Sequence, residues 1–104
     1  MLGRRPVKAD TLKQATLVLK TLVPLPYPVS VRRARTKDAW GDCELKSDPP
    51  RFHIRISRSI DEGAAIETLV HEWAHARSWL EHTQDHGPYW GVAFSECYQA
   101  LYEE

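Results

Sequence analysis

The sequence has no net charge, no long apolar run and few cysteines, and each of these absences argues against a class of function. Its 104 residues carry 14 Lys and Arg against 14 Asp and Glu, so no global field attracts nucleic acid or anionic lipid. No apolar run approaches the roughly 20 residues that a membrane-spanning helix needs, and we expect no membrane partner. Because Arg4 and Arg5 precede no apolar segment of the secretory-signal type, we expect a cytoplasmic protein.

Cys43 and Cys97 stand alone, without a CxxC pair. In a reducing compartment both are expected to be free thiols, Cys97 in a core and Cys43 in or beside a strand. Structural zinc-thiolate sites normally bring cysteines in close pairs, so neither residue is assigned to a metal. The composition of the whole chain, 42% hydrophobic and 27% charged, is typical of a folded domain. We expect residues 1–104 to form one such domain.

The first half of the chain predicts one helix and three strands. Asp10 can cap a first helix, and the apolar positions of that helix recur at steps of three and four: Leu12, Ala15, Leu19, Leu22 and Val23. The proline-rich segment 24–28 ends it, because proline lacks an amide donor. Strand-like segments follow at 29–33, 39–46 and 51–57. We expect a small antiparallel three-stranded sheet with one solvated face.

The second half predicts two helices. Ser59 and Glu62 have the spacing of a capping box, so a helix should begin near Ile60 or Asp61. Its apolar stripe is Ile66, Leu69, Val70, Trp73 and Leu80. Residues 81–87 are expected to form a loop. The fold class is therefore α+β, with an N-terminal helix, a small sheet and then two helices.

Pro88 suits the first position of the final helix. This helix is expected to bury a set of apolar residues: Trp90, Phe94, Cys97, Tyr98 and Leu101. Trp73 and Trp90 both have the spacing of core residues, and we interpret them as packing residues.

The stretch HEWAH at residues 71–75 has the residue types of a catalytic zinc site. His71 and His75 are four apart on the predicted helix, so both imidazoles project from one face and suit one zinc ion. Glu72 lies about a quarter of a turn away, where its carboxylate can reach a zinc-bound water without being a ligand. Zinc lowers the pKa of such a water to about 7, and the glutamate can then act as a general base. The motif therefore predicts hydrolysis of a peptide bond.

Tetrahedral zinc with two imidazoles and a water needs one more ligand, and four residues are candidates: His82, Asp85, His86 and Glu96. His82 lies about two helical turns beyond His75, too far for the same ion. His86 directly precedes Gly87 and Pro88, which favour a sharp turn into a helix that folds back on the first. We predict His86 as the third ligand and keep Glu96 as the alternative. His82 and His53 are interpreted as a loop histidine and a strand-face histidine.

These residues resemble the SprT-like zinc metallopeptidases, which include the Spartan proteases. In that family a helix bearing HExxH is followed by a loop and then by HGxxF or HGxxW at the start of another helix. The matching text is TLVHEWAHA at 68–76 and DHGPYWGVAF at 85–94, and the resemblance covers roughly residues 50–98. It implies a zincin-like fold, one zinc ion per chain and cleavage of protein substrates. It also implies the ligand role for His71, His75 and His86, and the general-base role for Glu72.

Three hypotheses of function remain. The first is a zinc metalloendopeptidase, and the second is a non-catalytic zinc-containing module that binds proteins. The third is a DNA-associated factor that uses the basic stretches 31–37 and 51–59, although solvated strand faces often look like this. Glu72 favours the first over the second, because a purely structural site does not need it. The neutral net charge disfavours the third.

A peptidase of this kind also needs accessory groups. An extended peptide can add to an exposed sheet edge, and the candidate edges are AWGDCEL at 39–45 and RFHIRIS at 51–57. Tyr89 is a candidate donor to the oxyanion. Asp85 or Glu96 could accept hydrogen bonds that orient the histidines.

Overall fold

The computed structural model describes residues 6–36, 39–80 and 86–103. These residues form, in chain order, α1 (Leu12–Leu22), β1 (Val29–Ala34), β2 (Gly41–Lys46), β3 (Arg51–Ser57), α2 (Glu62–Arg77) and α3 (Pro88–Tyr102). The predicted α+β arrangement of one helix, a small sheet and two helices is confirmed. Of the predicted loop 81–87, residues 81–85 lie outside the described residues. None of the described helices has the length and apolar character needed to cross a bilayer.

The sheet is mixed, in the order β1-β3-β2. β2 pairs antiparallel with β3, whereas β1 pairs parallel with it, so the prediction of an antiparallel sheet is wrong for β1. Alternation in a sequence indicates which side chains share a face. It does not indicate the direction of a partner that is distant in the chain. β3 is central because its alternate residues are the most apolar, and Phe52, Ile54 and Ile56 are fully buried.

The caps of α1 and α2 differ from the predicted ones. Thr11, not Asp10, caps α1, and its hydroxyl accepts a hydrogen bond from the amide of Gln14 at 3.2 Å. Asp61, not Ser59, caps α2, and its carboxylate accepts from the amide of Ala64 at 2.8 Å. Each cap accepts from an amide three residues further along the chain, as Ncap residues commonly do. The predicted capping box is therefore absent.

Glu62 instead belongs to a network that joins three elements. The guanidinium of Arg33 donates to the carbonyl oxygens of Ser57 (2.6 Å) and Ile60 (2.9 Å) and pairs with Glu62 at 3.1 Å. The carboxylate of Glu62 also accepts the amide of Leu12. This network ties β1 to the start of α2 and the start of α1. One arginine of the basic stretch 31–37 thus has a structural role.

α2 packs against β2 and β3, and α1 and α3 pack against α2 and against each other, so that the core lies among the helices and one face of the sheet. Trp73 is fully buried, and its indole N–H donates to the carbonyl oxygen of Val23 at 2.8 Å. Arg77, one turn later on α2, donates to the carbonyl oxygen of Pro24 at 2.5 Å. These bonds fasten the proline-rich segment to α2, which confirms the packing role of Trp73. Leu80 is 66% exposed, so the apolar stripe ends before it.

The final helix buries part of the predicted set. Cys97 and Leu101 are buried, whereas Trp90, Phe94 and Tyr98 are half-buried. Pro88 occupies the first turn of α3, as predicted. Both cysteines are free thiols, Cys97 in the core and Cys43 in β2.

Gly41 allows β2 to lie close to α2, and its replacement gives a test of the fold. A Cβ there would lie 2.7 Å from Cγ2 of Thr68 and 2.8 Å from the carbonyl oxygen of Arg55. Because that oxygen belongs to the central strand, it cannot move aside alone. We expect Gly41→Ala to lower the free energy of unfolding by about 1–3 kcal/mol, measured by urea denaturation.

Gly91→Ala is the matched control, because Gly91 lies within α3 and a Cβ built there meets no described atom within 4 Å beyond the adjacent backbone of its own helix. Helix propensity predicts that this change raises the free energy of unfolding by up to about 1 kcal/mol. A Gly41→Ala protein as stable as the Gly91→Ala protein would contradict the close approach of β2 to α2.

Candidate metal centre

The helical spacing of His71 and His75 brings their rings together on α2. The ring centroids are 4.9 Å apart, and the two Nε2 atoms are 3.3 Å apart. Both side chains are half-buried near the C-terminal end of the helix. The sequence prediction that these two imidazoles share one face is confirmed.

His86 comes from outside that helix and completes the cluster. Its Nε2 lies 3.2 Å from Nε2 of His71, and its ring centroid lies 4.9 Å from those of His71 and His75. The backbone of His86 has φ of 56°, in the left-handed region. Gly87 then caps α3, and Pro88 begins it. This turn directs the exposed His86 side chain back over α2.

The three histidines fit a zinc ion in both chemistry and spacing. One nitrogen of each imidazole lies within 4.8 Å of the others. Tetrahedral zinc with Zn–N distances of about 2.0–2.1 Å has ligand atoms about 3.3–3.4 Å apart. The nitrogen–nitrogen distances of 3.2 Å and 3.3 Å are close to that edge length. The set can therefore hold one metal ion and leave a fourth position for water or substrate.

Glu72 lies between the two α2 histidines in sequence and is only 8% exposed. Its side of α2 lies against β2, because Thr68, one turn earlier, approaches Gly41. The charge of this carboxylate affects the pKa of the Cys43 thiol on β2. Burial, and then the negative charges of Glu72, Asp42 and Glu44, raise the pKa of its thiol to about 12. A buried carboxylate thus lies at the junction between α2 and β2, on the helix that carries His71 and His75.

Other residues proposed from the sequence lie elsewhere or outside the described residues. Glu96 pairs with Arg77 at 3.4 Å and is absent from the histidine cluster, so the alternative third ligand is not supported. Tyr89 is 55% exposed and lines a groove of about 690 Å³ together with Glu96. The histidines do not line that groove. His53 lies on the open sheet face, as predicted. His82 and Asp85 fall outside the described residues.

Trp90 was assigned to packing from its spacing, and the structure shows that it packs on the histidines. Its ring lies within 6 Å, centroid to centroid, of the rings of His71, His75 and His86. His86 precedes α3 and has a left-handed backbone, so no helical spacing rule relates it to Trp90, and the contact depends on the packing of α3 on α2.

The left-handed backbone of His86 gives a test that does not require metal. A residue with a Cβ costs about 1–2 kcal/mol in this conformation, whereas glycine adopts it without that penalty. His86→Gly and His86→Ala both remove the imidazole, and only the alanine variant keeps the strain. In metal-free protein we expect the glycine variant to be more stable by about 0.5–1 kcal/mol after its greater unfolded-chain entropy is included. Urea denaturation measures the difference, and an alanine variant equal to the glycine variant would argue against the turn.

The two thiols predict a specific alkaline behaviour. Burial raises the pKa of Cys97, like that of Cys43, from its ordinary value of 9.0 to about 12. The folded chain therefore retains thiol protons that the unfolded chain loses above pH 9. This stabilisation is complete below about pH 9 and is lost as the pH rises toward 12. The free energy of unfolding should fall over that range, and less steeply in a Cys43→Ala, Cys97→Ala double variant.

Alkylation with iodoacetamide at pH 8 gives a second measurement of the same property. A pKa of about 12 leaves about 1,000-fold less thiolate than a pKa of 9.0, and the thiolate is the reactive form. Both cysteines should react much more slowly in the folded chain than in urea. Rapid modification of Cys43 in the folded chain would contradict its packing, partly buried, against the core.

Comparison with known protein families gives a match that spans most of the chain. A model of the SprT-like family matches residues 13–103, which include all three strands, most of α1, both later helices and the three histidines. No match to a curated protein was found. Because the match covers most of its length, the chain belongs to the SprT-like family.

Proposed function

We propose that this protein is a zinc-dependent metalloendopeptidase that hydrolyses peptide bonds in protein substrates. The observation that carries the proposal is a cluster of three imidazole nitrogens within 4.8 Å of one another, in which Nε2 of His71 lies at the edge length of a tetrahedral zinc site from Nε2 of His75 and of His86. Glu72 is buried on the helix that carries His71 and His75. His71, His75 and His86 hold the ion, and one zinc binds per chain. Membership of the SprT-like family supports this assignment.

Glu72 supplies the acid–base chemistry. A zinc ion held by the three histidines would lower the pKa of a water at the fourth position to about 7 and polarise the scissile carbonyl. The Glu72 carboxylate accepts the proton of the attacking water as the new C–O bond forms. It then gives that proton to the amine nitrogen as the C–N bond breaks. Its burial keeps bulk water from competing for that proton.

β2 offers the edge along which an extended substrate can lie. β3 is paired on both sides, so it is not an edge, and no described strand pairs with the outer side of β2. The bond from the amide of Ser57 to the carbonyl oxygen of Trp40 sets the alternation along β2. Backbone groups of Gly41, Cys43 and Leu45 therefore point away from β3. A peptide paired with them would run beside α2.

A zinc-containing module without turnover is the second candidate. Comparison of wild type with Glu72→Gln, described below, distinguishes it from the peptidase.

A DNA-associated role finds little support in the two best-defined arginines of the basic stretches. Arg33 is committed to the network with Glu62, and Arg55 forms a two-point ion pair with Asp42 at 2.6 and 3.0 Å. Both guanidinium groups are thus paired with carboxylates, which weakens the contribution of these two arginines to any attraction for phosphate.

The central test compares wild type with Glu72→Gln. The variant keeps the shape of the side chain but cannot act as the base, so we expect it to retain one zinc per chain. Its rate of cleavage of a labelled unfolded protein should fall by about 100- to 10,000-fold. Zinc is measured by elemental analysis, and cleavage by release of labelled peptides.

Glu67→Gln is the matched control, because Glu67 is another carboxylate on α2, five residues before Glu72 and outside the histidine cluster. It should retain both zinc and activity. Wild-type protein that holds one zinc but cleaves at the same rate as Glu72→Gln would favour the non-catalytic module. Wild-type protein that takes up no zinc would refute the metal site.

A further inference from the structure

Trp90 contacts all three proposed ligands at once. Its ring centroid lies 5.2 Å from that of His71, 5.6 Å from that of His75 and 4.7 Å from that of His86. The interplanar angles are 61°, 43° and 86°, so the indole meets two of the imidazoles edge to face. All three centroid distances, and the interplanar angles to His71 and His86, lie in the range preferred for aromatic pairs. The indole ring of Trp90 thus packs against all three proposed ligands.

The indole is also joined to the backbone of α2. Its Nε1 donates to the carbonyl oxygen of His71 at 3.4 Å, a long hydrogen bond that nevertheless fixes which edge of the ring faces that helix. Trp90 itself lies in the first turns of α3, four residues after His86. It therefore spans the two segments that contribute the ligands.

Trp90 is the first of four aromatic rings that contact one another in a column along α3. Trp90, Phe94, Tyr98 and Tyr102 follow one another at intervals of four along α3, so their rings stack on one face of the helix. Successive centroids are 5.0, 6.3 and 4.6 Å apart, with interplanar angles of 28°, 24° and 13°. Tyr102, at the far end, is 1% exposed. Because the column ends in the core, Trp90 cannot swing along the helix without disturbing it.

We infer that Trp90 is a positioning residue for the metal site, which holds the three imidazoles in the arrangement that zinc requires before zinc binds. The inference rests on the proposed zinc site and adds to it a requirement outside the ligand set. Each imidazole can turn about two side-chain torsions, and binding zinc fixes both in all three rings. Packing against Trp90 already restricts these torsions in the metal-free protein, which reduces the conformational entropy that is lost when zinc binds. Loss of the Trp90 ring should therefore weaken zinc binding even though every ligand is present.

The experiment measures the zinc dissociation constant of the folded protein by competition with a chromophoric chelator. Trp90→Ala should weaken zinc binding by about 10- to 100-fold, the effect typical of losing a partner that orients metal ligands. Trp90→Phe keeps a flat ring, so its zinc dissociation constant should stay within about 3-fold of the wild-type value. Val92→Ala, which truncates a 64% exposed residue on the same helix, is the matched control and should not change the constant.

The visible spectrum of the Co²⁺-substituted protein provides a readout that general destabilisation would not alter. Ligand geometry sets this spectrum, so Trp90→Ala should shift or weaken the bands that wild type and Trp90→Phe share. If the alanine variant does not fold, Trp90→Leu keeps an apolar side chain without a ring and should show the same loss of affinity.

The inference is overturned if Trp90→Ala, or Trp90→Leu in its place, folds and binds zinc as tightly as wild type with the same Co²⁺ spectrum. This result would leave the peptidase proposal intact, because wild type would still bind zinc. A wild-type protein that binds no zinc would instead overturn the proposed function and this inference together. The two failures are therefore distinguishable from the wild-type measurement alone.

Discussion

The approach of the N-terminal end of α3 to the C-terminal half of α2 is the constraint on which the site depends. Two nitrogens come from one helix and the third from the turn that begins the other, yet His86 and His71 must meet at 3.2 Å. A shift of about 1 Å between the helices would move that nitrogen off the edge of a tetrahedron, which is about 3.3 Å long. The buried contacts of Cys97 and Leu101 with the rest of the core maintain this approach.

Interactions away from the histidines hold α2 in place. Arg77 bonds to Pro24 and pairs with Glu96 on α3, so one side chain at the end of α2 contacts two other segments. At the other end of the same helix, Glu62 joins Arg33 and the start of α1. Each of these partly exposed pairs is weak alone. Together they fix both ends of the helix that carries two histidines and Glu72.

The sequence was informative wherever a local rule applied. Helical spacing placed His71 beside His75, and the sequence His86-Gly87-Pro88 correctly indicated a turn that returns the third histidine to them. Alternation located the strands to within about two residues, the usual limit for element boundaries. These features depend on side chains close together in the chain, or on the conformational preferences of single residues.

Features set by distant parts of the chain could not be predicted in this way. The parallel pairing of β1 with β3 depends on the route of the chain through β2, which no local pattern encodes. Asp61 replaced Ser59 as the cap, and Glu62 of the expected capping box bonds Arg33 on a distant strand instead. Trp90 has the spacing of a core residue, and only the packing of α3 on α2 shows that its neighbours are histidines.

The edge of β2 has a consequence for selectivity. The outward-pointing backbone groups belong to Gly41, Cys43 and Leu45, whose side-chain positions face the core rather than the edge strand's open face. A chain pairing there would be read through its amides and carbonyls, which every amino acid except proline provides. Recognition of this kind distinguishes an extended, unfolded segment from a folded one far better than it distinguishes one amino-acid sequence from another. Under the proposed function, whether a target protein is cleaved would therefore depend more on its conformation than on its sequence.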